Sequence, residues 1–268
     1  ARGEGAGYFF PTDAPWVVHR DFGTLVGGIR ALLMQALHPG PLAGVRDHSR
    51  YSKDPLGRLS GTIRWLTLTT FASTEEILRE ASRVNRLHAS VKGAYIERGE
   101  HRTYSASEEK LLLWVHVAFM ESFLVAHQMY ATAEIPRGDR ANGAENYVAQ
   151  WSRAAEPLGL KSAPMTMAEV NSIIDDALAD GTLRVDQDTR EVVSFIANPP
   201  LPKIVMPVYR LLFSAAVASL RDEIREFLGL KKPSKLVIPA TRIALKVMRL
   251  AVGPESPIED AALERLAR

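Results

Sequence analysis

The chain has 268 residues with 46% hydrophobic and 24% charged side chains, the composition of a globular protein and not of a disordered or fibrous one. Thirty-three Lys and Arg stand against 31 Asp and Glu, a net charge of +2, without the basic excess expected of a nucleic-acid binder. Cysteine is absent, which excludes disulfides, thiolate metal sites, iron–sulfur clusters and cysteine nucleophiles and fits a cytoplasmic, reducing location.

The first residues are small and glycine-rich, with no signal-peptide pattern. A helical stripe of Phe22, Leu25, Ile29, Leu32, Leu33 and Ala36 marks residues 17–37, and His38-Pro39-Gly40-Pro41 ends it. A short helix is expected over 42–49. Asp54-Pro55 opens a helix to about residue 71, with Asp as cap and Pro in the first turn. Ser73 and Glu76 form a capping-box pattern for a helix reaching about residue 96. Ser105 and Glu108 repeat the pattern before a long helix through Tyr130, apolar on almost every side and therefore expected to be surrounded by others.

Beyond Pro136 the pattern weakens. Helices are expected over 145–159, over 166–181 behind the Thr166/Glu169 capping box, over 204–228, over 239–252, and from about 257. No segment alternates as a strand, so the expected fold is all-α, one domain over 1–268, with its best-defined chemistry in 20–130 and a C-terminal helical part at 135–268. No transmembrane helix is predicted. The apolar run 204–220, broken by Arg210 and preceded by Lys203, reads as a buried helix or, secondarily, as a peripheral membrane contact. The cations Arg221, Arg225, Lys231, Lys232 and Lys235 read as solvated surface.

Four sets of polar residues stand out. On the helix from Thr74, the apolar positions Ile77, Ala81, Val84, Val91 and Tyr95 leave a seven-residue gap in which His88 falls on the same face. An imidazole there is either a hydrogen-bonded core residue or a metal ligand. Gly93, beyond it, would let a flat ligand or a helix approach the backbone. Arg58, Thr62, Trp65 and Thr69 form one stripe, suited to a pocket for an anionic group or to a partly exposed face. His116 and His127 share a face with Leu112, Phe119, Phe123 and Tyr130, as ligands or as structural hydrogen-bonders, and Glu121 on another side needs a partner if buried. His38 and His48 flank a proline turn and either line a pocket or serve the turn. The zincin motif H-E-x-x-H, the E-x-x-H of di-iron bundles, the phosphate loop and the nucleophile elbow are all missing.

The run from Leu37-His38-Pro39 through Ala43-Gly44-Val45, His48-Ser49, Tyr51, Asp54-Pro55, Arg58 and Thr62 resembles the signature of the DUF2236 family. That family includes the latex-clearing proteins (rubber oxygenases) and the ER-bound oxygenase of mycophenolic acid biosynthesis. The resemblance continues through Val84, His88, Val91 and Gly93, then Tyr104-Ser105-Ala106, and closes on the block Leu112 to His116. It covers about residues 20–130 and is diffuse afterwards. It implies an all-α fold with a globin-like core around one haem b, His88 as the iron ligand, and Arg58 and Thr62 in the haem pocket. It further implies an oxygenase using dioxygen on a hydrophobic, alkene- or isoprenoid-like small molecule, with Phe119 and Phe123 shaping the substrate cavity. Rubber oxygenases carry a lysine before the threonine that caps the distal iron; here that residue is Gly61. The distal side is then open, water-ligated, or capped from elsewhere, with His38 or His48 as contributors. Two other readings follow from the same residues: a haem- or lipid-binding protein without turnover, and a member of the family that has lost its haem.

Overall fold

A computed structural model describes residues 3–48, 55–97, 99–253 and 257–268, with backbone only for residues 48, 55–60 and 252. Among the described residues it is mainly helical. α1 (Ala14–Arg20) and α2 (Gly23–Gln35) replace the single helix expected over 17–37. The break is at Asp21, extended at ψ 144°, whose carboxylate accepts from the Gly23 amide at 2.7 Å and caps the second helix. α3 (Pro39–His48) begins at Pro39. The helix before the proline turn ends as expected, and the turn itself also starts the next helix, earlier than the expected residue 42: Pro39 and Pro41 sit in the first turn, where amides lack acceptors anyway, and the Gly40 amide donates to His38 Nδ1 at 3.1 Å.

α4 (Pro55–Phe71) and α5 (Thr74–Ser90) follow, the corner between them fixed by the Ser73 hydroxyl accepting from the Glu76 amide. The expected helix to residue 96 stops at Ser90. Residues 92–105 form an antiparallel hairpin of β1 (Lys92–Glu97) and β2 (Glu100–Ser105), in a register pairing Gly93 with Tyr104 and Tyr95 with Arg102. The expectation of no strand is therefore corrected. Gly99, at φ +85°, supplies the left-handed backbone of the turn. Gly93 is a strand residue against which the Tyr104 ring lies, 2.9 Å from where a Cβ would stand.

α6 (Glu109–Tyr130) is the central helix, and its most extensive partner is α2. Its cap is Glu108, three residues after the expected Ser105, because Ser105 belongs to β2, while Glu108 still accepts from the Ser105 amide at 2.6 Å. By length and hydropathy α6 is sufficient to cross a membrane, a property the sequence reading assigned to no segment; 67% of its most apolar window is buried inside the fold. α7 (Gly143–Trp151) runs into two 3₁₀ turns, Ser152–Ala154 and Glu156–Leu158. α8 (Met167–Ala179) carries the predicted Thr166/Glu169 capping box in full. α9 (Gln187–Ala197) is followed by α10 (Met206–Ser219) and α11 (Asp222–Phe227), which divide the single helix expected over 204–228 at Leu220. α12 (Val237–Val252) and α13 (Pro257–Leu266) complete the chain.

One hydrophobic cluster runs from Phe9 to Ala262 and centres on α2, α6 and the helices packed on them. Within it Arg30, fully buried, faces Glu121, 4% exposed. The guanidinium donates to both carboxylate oxygens, to the Ser122 hydroxyl at 2.8 Å and to the Ser219 carbonyl at 3.3 Å. Four acceptors around one planar fork offset the cost of removing two charges from water.

Candidate functional site

A cavity of about 480 Å³ lies between α3, α4, α5, α6, the hairpin and the 3₁₀ turns. That is within the roughly 300–1,000 Å³ range of small-molecule and cofactor sites. Its walls are mostly apolar: Leu66 from α4, Val84 and Leu87 from α5, and Leu111, Leu112, Val115 and Phe119 from α6. The α6 residues recur at i, i+4 and i+8, so one stripe of that helix fronts the cavity while the opposite side packs on α2. The space exists because α5 packs on α4, β2 and the second 3₁₀ turn, and its contact with α6 is slighter than with any of these.

Two imidazoles line this cavity, His88 from α5 and His116 from α6. Neither has a hydrogen bond among the described residues. His88 Nδ1 and His116 Nε2 are buried without a hydrogen-bond partner. Burial lowers both pKa values, that of His116 to about 4. Each ring is therefore neutral at pH 7 and keeps a lone pair for a ligand. Tyr104 is a third lining residue with an unpartnered buried atom, its phenol oxygen, and burial raises its pKa.

The sequence-predicted residues divide sharply. His88, Thr62, Trp65 and Phe119 line the cavity. Arg58 is on α4, one turn before Thr62, and its side chain lies outside the described residues, as does that of His48. Thr69, on the same stripe, is fully buried beyond the cavity. His38 does not line it. Its Nδ1 accepts from Gly40, its ring stands 6.0 Å from Trp114 and 6.4 Å from Tyr95, and burial, with a lesser contribution from Lys110, pushes its pKa down to about 4. It is a turn cap. Phe123 also misses the cavity; it closes over Gly27, 2.7 Å from a would-be Cβ, and meets His19 at 5.4 Å. His127, though on the face of His116, is structural, with Nε2 bonded to the Ala133 carbonyl at 2.9 Å.

Sequence reasoning missed Trp151, Ala154, Ala155, Leu158 and Leu160, which form the far wall. Trp151 ends α7 and the others lie in or beside the two 3₁₀ turns, which have no helical period, and Asn85 of α5 ties this stretch down by donating to the Pro157 carbonyl at 2.9 Å. It also missed His19. That ring bridges Thr70 Oγ1 at 2.8 Å and Tyr147 Oη at 2.9 Å, and burial holds its pKa at about 3. A histidine after Val17-Val18 was the available signal.

The residues suit a haem. A porphyrin brings four of its own nitrogens to iron, so the protein needs to offer one imidazole and a greasy slot. His88 lines such a slot, and at Gly61, also on the wall, no atom lies within 4 Å of where a Cβ would be. Among the described residues no group of three His, Asp or Glu side chains is placed to hold a metal ion through protein ligands alone. Arg83 reaches the wall, but its guanidinium is engaged with Glu80, at 2.6 Å.

An all-α fold around an apolar cavity with a neutral, unengaged imidazole defines a class of small-molecule-binding helical proteins. The family model described as ER-bound oxygenase mpaB/B'/Rubber oxygenase, catalytic domain, matches residues 16–252, and the chain belongs to that family of oxygenases. No curated protein matches the chain, and no solved structure matches it.

Proposed function

We propose that this chain is a haem b-dependent oxygenase acting on a hydrophobic small molecule, with residues 1–268 as one all-α unit. The observation that carries the proposal is a single one: His88, neutral and with a ring nitrogen that has no partner, lines an apolar cavity of about 480 Å³. A b-type haem bound there would supply the iron chemistry by which dioxygen is used.

The protein's own contributions are specific. His88 would offer the ring nitrogen that holds the iron. Leu66, Leu87, Leu111, Leu112 and Val115 keep bulk water from the pocket and accept a hydrocarbon chain. Thr62 lines the same cavity and, with Arg58 one turn earlier on α4, would orient a polar group of cofactor or substrate. Gly61 leaves the space beside Thr62 open, which favours a substrate of appreciable width.

Purified protein titrated with haemin and assayed as the pyridine haemochrome should bind one equivalent, and His88→Ala should lose most of it with an unchanged melting temperature. A protein that takes up no haemin, or a His88→Ala variant that binds it as wild type does, rejects the assignment. Oxygen uptake with candidate alkenes then separates an oxygenase from a haem carrier, which would consume none.

A further inference from the structure

α12 is amphipathic in the usual sense on its inner side, where Thr241 and Leu245 are buried. Its outer side is also apolar. Leu236, Ala240, Ile243, Val247 and Leu250 recur at spacings of 4, 3, 4 and 3, a single stripe, and all are exposed. Leu236 is 75% exposed, Ile243 65%, Val247 58% and Leu250 76%. α10, packed on α12, adds Ile204 just before its start, 87% exposed, together with Val205 and Val208. Isolated exposed apolar residues need no explanation, but a stripe of this kind on two neighbouring helices marks an interaction site.

The charge around the stripe identifies what it meets. Residues 192–221 and 227–254 contain no Asp or Glu, while they hold Lys203, Arg210, Arg221, Lys231, Lys232, Lys235, Arg242, Lys246 and Arg249. Four of these are used inside the protein: Arg221 on Asp175, Lys232 on Asp222, Arg249 on Asp21, and Arg242 on the Met129 carbonyl. Lys203, Arg210, Lys231, Lys235 and Lys246 have no carboxylate partner among the described residues and are exposed. An apolar helix face rimmed by unpaired cations is the pattern of a helix lying in a bilayer interface, its side chains in the acyl boundary and its cations among anionic headgroups.

We propose that the outer face of α12, with the start of α10, docks the protein on an anionic lipid bilayer. A second copy of the chain fits less well. Pairing would bring together two copies of helices that carry Lys and Arg but no Asp or Glu, and a 16-residue helix supplies little more than two heptads where a coiled coil needs three or four. The proposal does not depend on haem, and its test reads lipid alone.

Vesicles of phosphatidylcholine, with and without about a quarter phosphatidylglycerol, serve as the probe in a sedimentation assay. The wild-type chain should bind the anionic vesicles about ten-fold or more tighter than the neutral ones, and added salt should reduce that preference. Lys231→Glu/Lys235→Glu/Lys246→Glu should abolish the preference. Ile243→Glu/Val247→Glu should weaken binding about ten-fold or more, with an unchanged circular-dichroism melt because both side chains are exposed. Equal binding to both vesicles, no binding to either, or charge-reversed protein that binds as before overturns the proposal. So does a dimer in light scattering that Ile243→Glu/Val247→Glu makes monomeric while vesicle binding is absent; the face then belongs to a second copy.

Discussion

The two sides of α6 obey different rules. Toward α2, Glu121 is buried and both its carboxylate oxygens accept from Arg30, which also donates to Ser122 and to the Ser219 carbonyl. Toward the cavity, His116 is left with a buried ring nitrogen and no partner, as His88 and Tyr104 are on neighbouring elements. A fold that satisfies a buried ion pair so completely does not leave imidazoles bare for want of donors. Three unpartnered buried polar atoms, on His88, Tyr104 and His116, belong to residues that line the cavity, while others, such as Trp114 Nε1 and His127 Nδ1 on α6 itself, belong to residues that do not line it.

The sharpest way to break the comparison is to unbalance the scaffold side. Glu121→Ala strands the Arg30 guanidinium in the core and should cost about 3–5 kcal/mol in urea unfolding, whereas Arg30→Met/Glu121→Leu should recover most of it. A loss under about 1 kcal/mol for the single change would mean the network is not the anchor described.

Acid tests the buried rings together. The pKa values of His19, His38 and His116 are lowered to about 3, 4 and 4, all below the ordinary value of 6.5. The unfolded chain therefore binds protons that the folded one refuses. Stability is full above pH 6.5 and falls as pH drops from 6.5 toward 4, on the order of a kcal/mol per ring per pH unit. Thermal melts should show this decline, and a flat profile across that window would contradict the burial of these rings. The decline should be shallower in His116→Leu.

Two helical glycines give a smaller but cleaner contrast. A Cβ at Gly27 would stand 2.7 Å from the Phe123 ring, so Gly27→Ala should destabilise by about 1–3 kcal/mol. A Cβ at Gly61 meets nothing within 4 Å, and Gly61→Ala should stabilise by about 0.5–1 kcal/mol through helix propensity. Equal effects would erase the distinction between packed scaffold and open cavity. Smallest of all, His116→Leu should change stability at pH 7 by less than about 1 kcal/mol, since it removes a buried atom that makes no bond.

Much of this was legible in the residues. Spacing alone turned His88 inward, charge alone required a partner for Glu121, and the Thr166/Glu169 box stands as expected. The hairpin was not legible, because Val91 and Tyr95 continue the helical spacing of Ile77, Ala81 and Val84 into a strand, and only Gly93 and Gly99 hint at the change. The partner of Glu121 could not be named either, since Arg30 is 91 residues away and looks like any surface cation until α2 and α6 are brought together. The far wall of the cavity rests on 3₁₀ turns, which leave no period to read.

The Arg30–Glu121 pair also acts as a stop. Sliding α6 along α2 by one turn, about 5.4 Å, would part both charges and leave each bare in the core. The register of the two helices is thus pinned at one point, and the stripe running from Leu111 to Phe119 is held at a fixed height above α5 whether or not anything lies between them. The vessel keeps its depth without needing its contents as a mould.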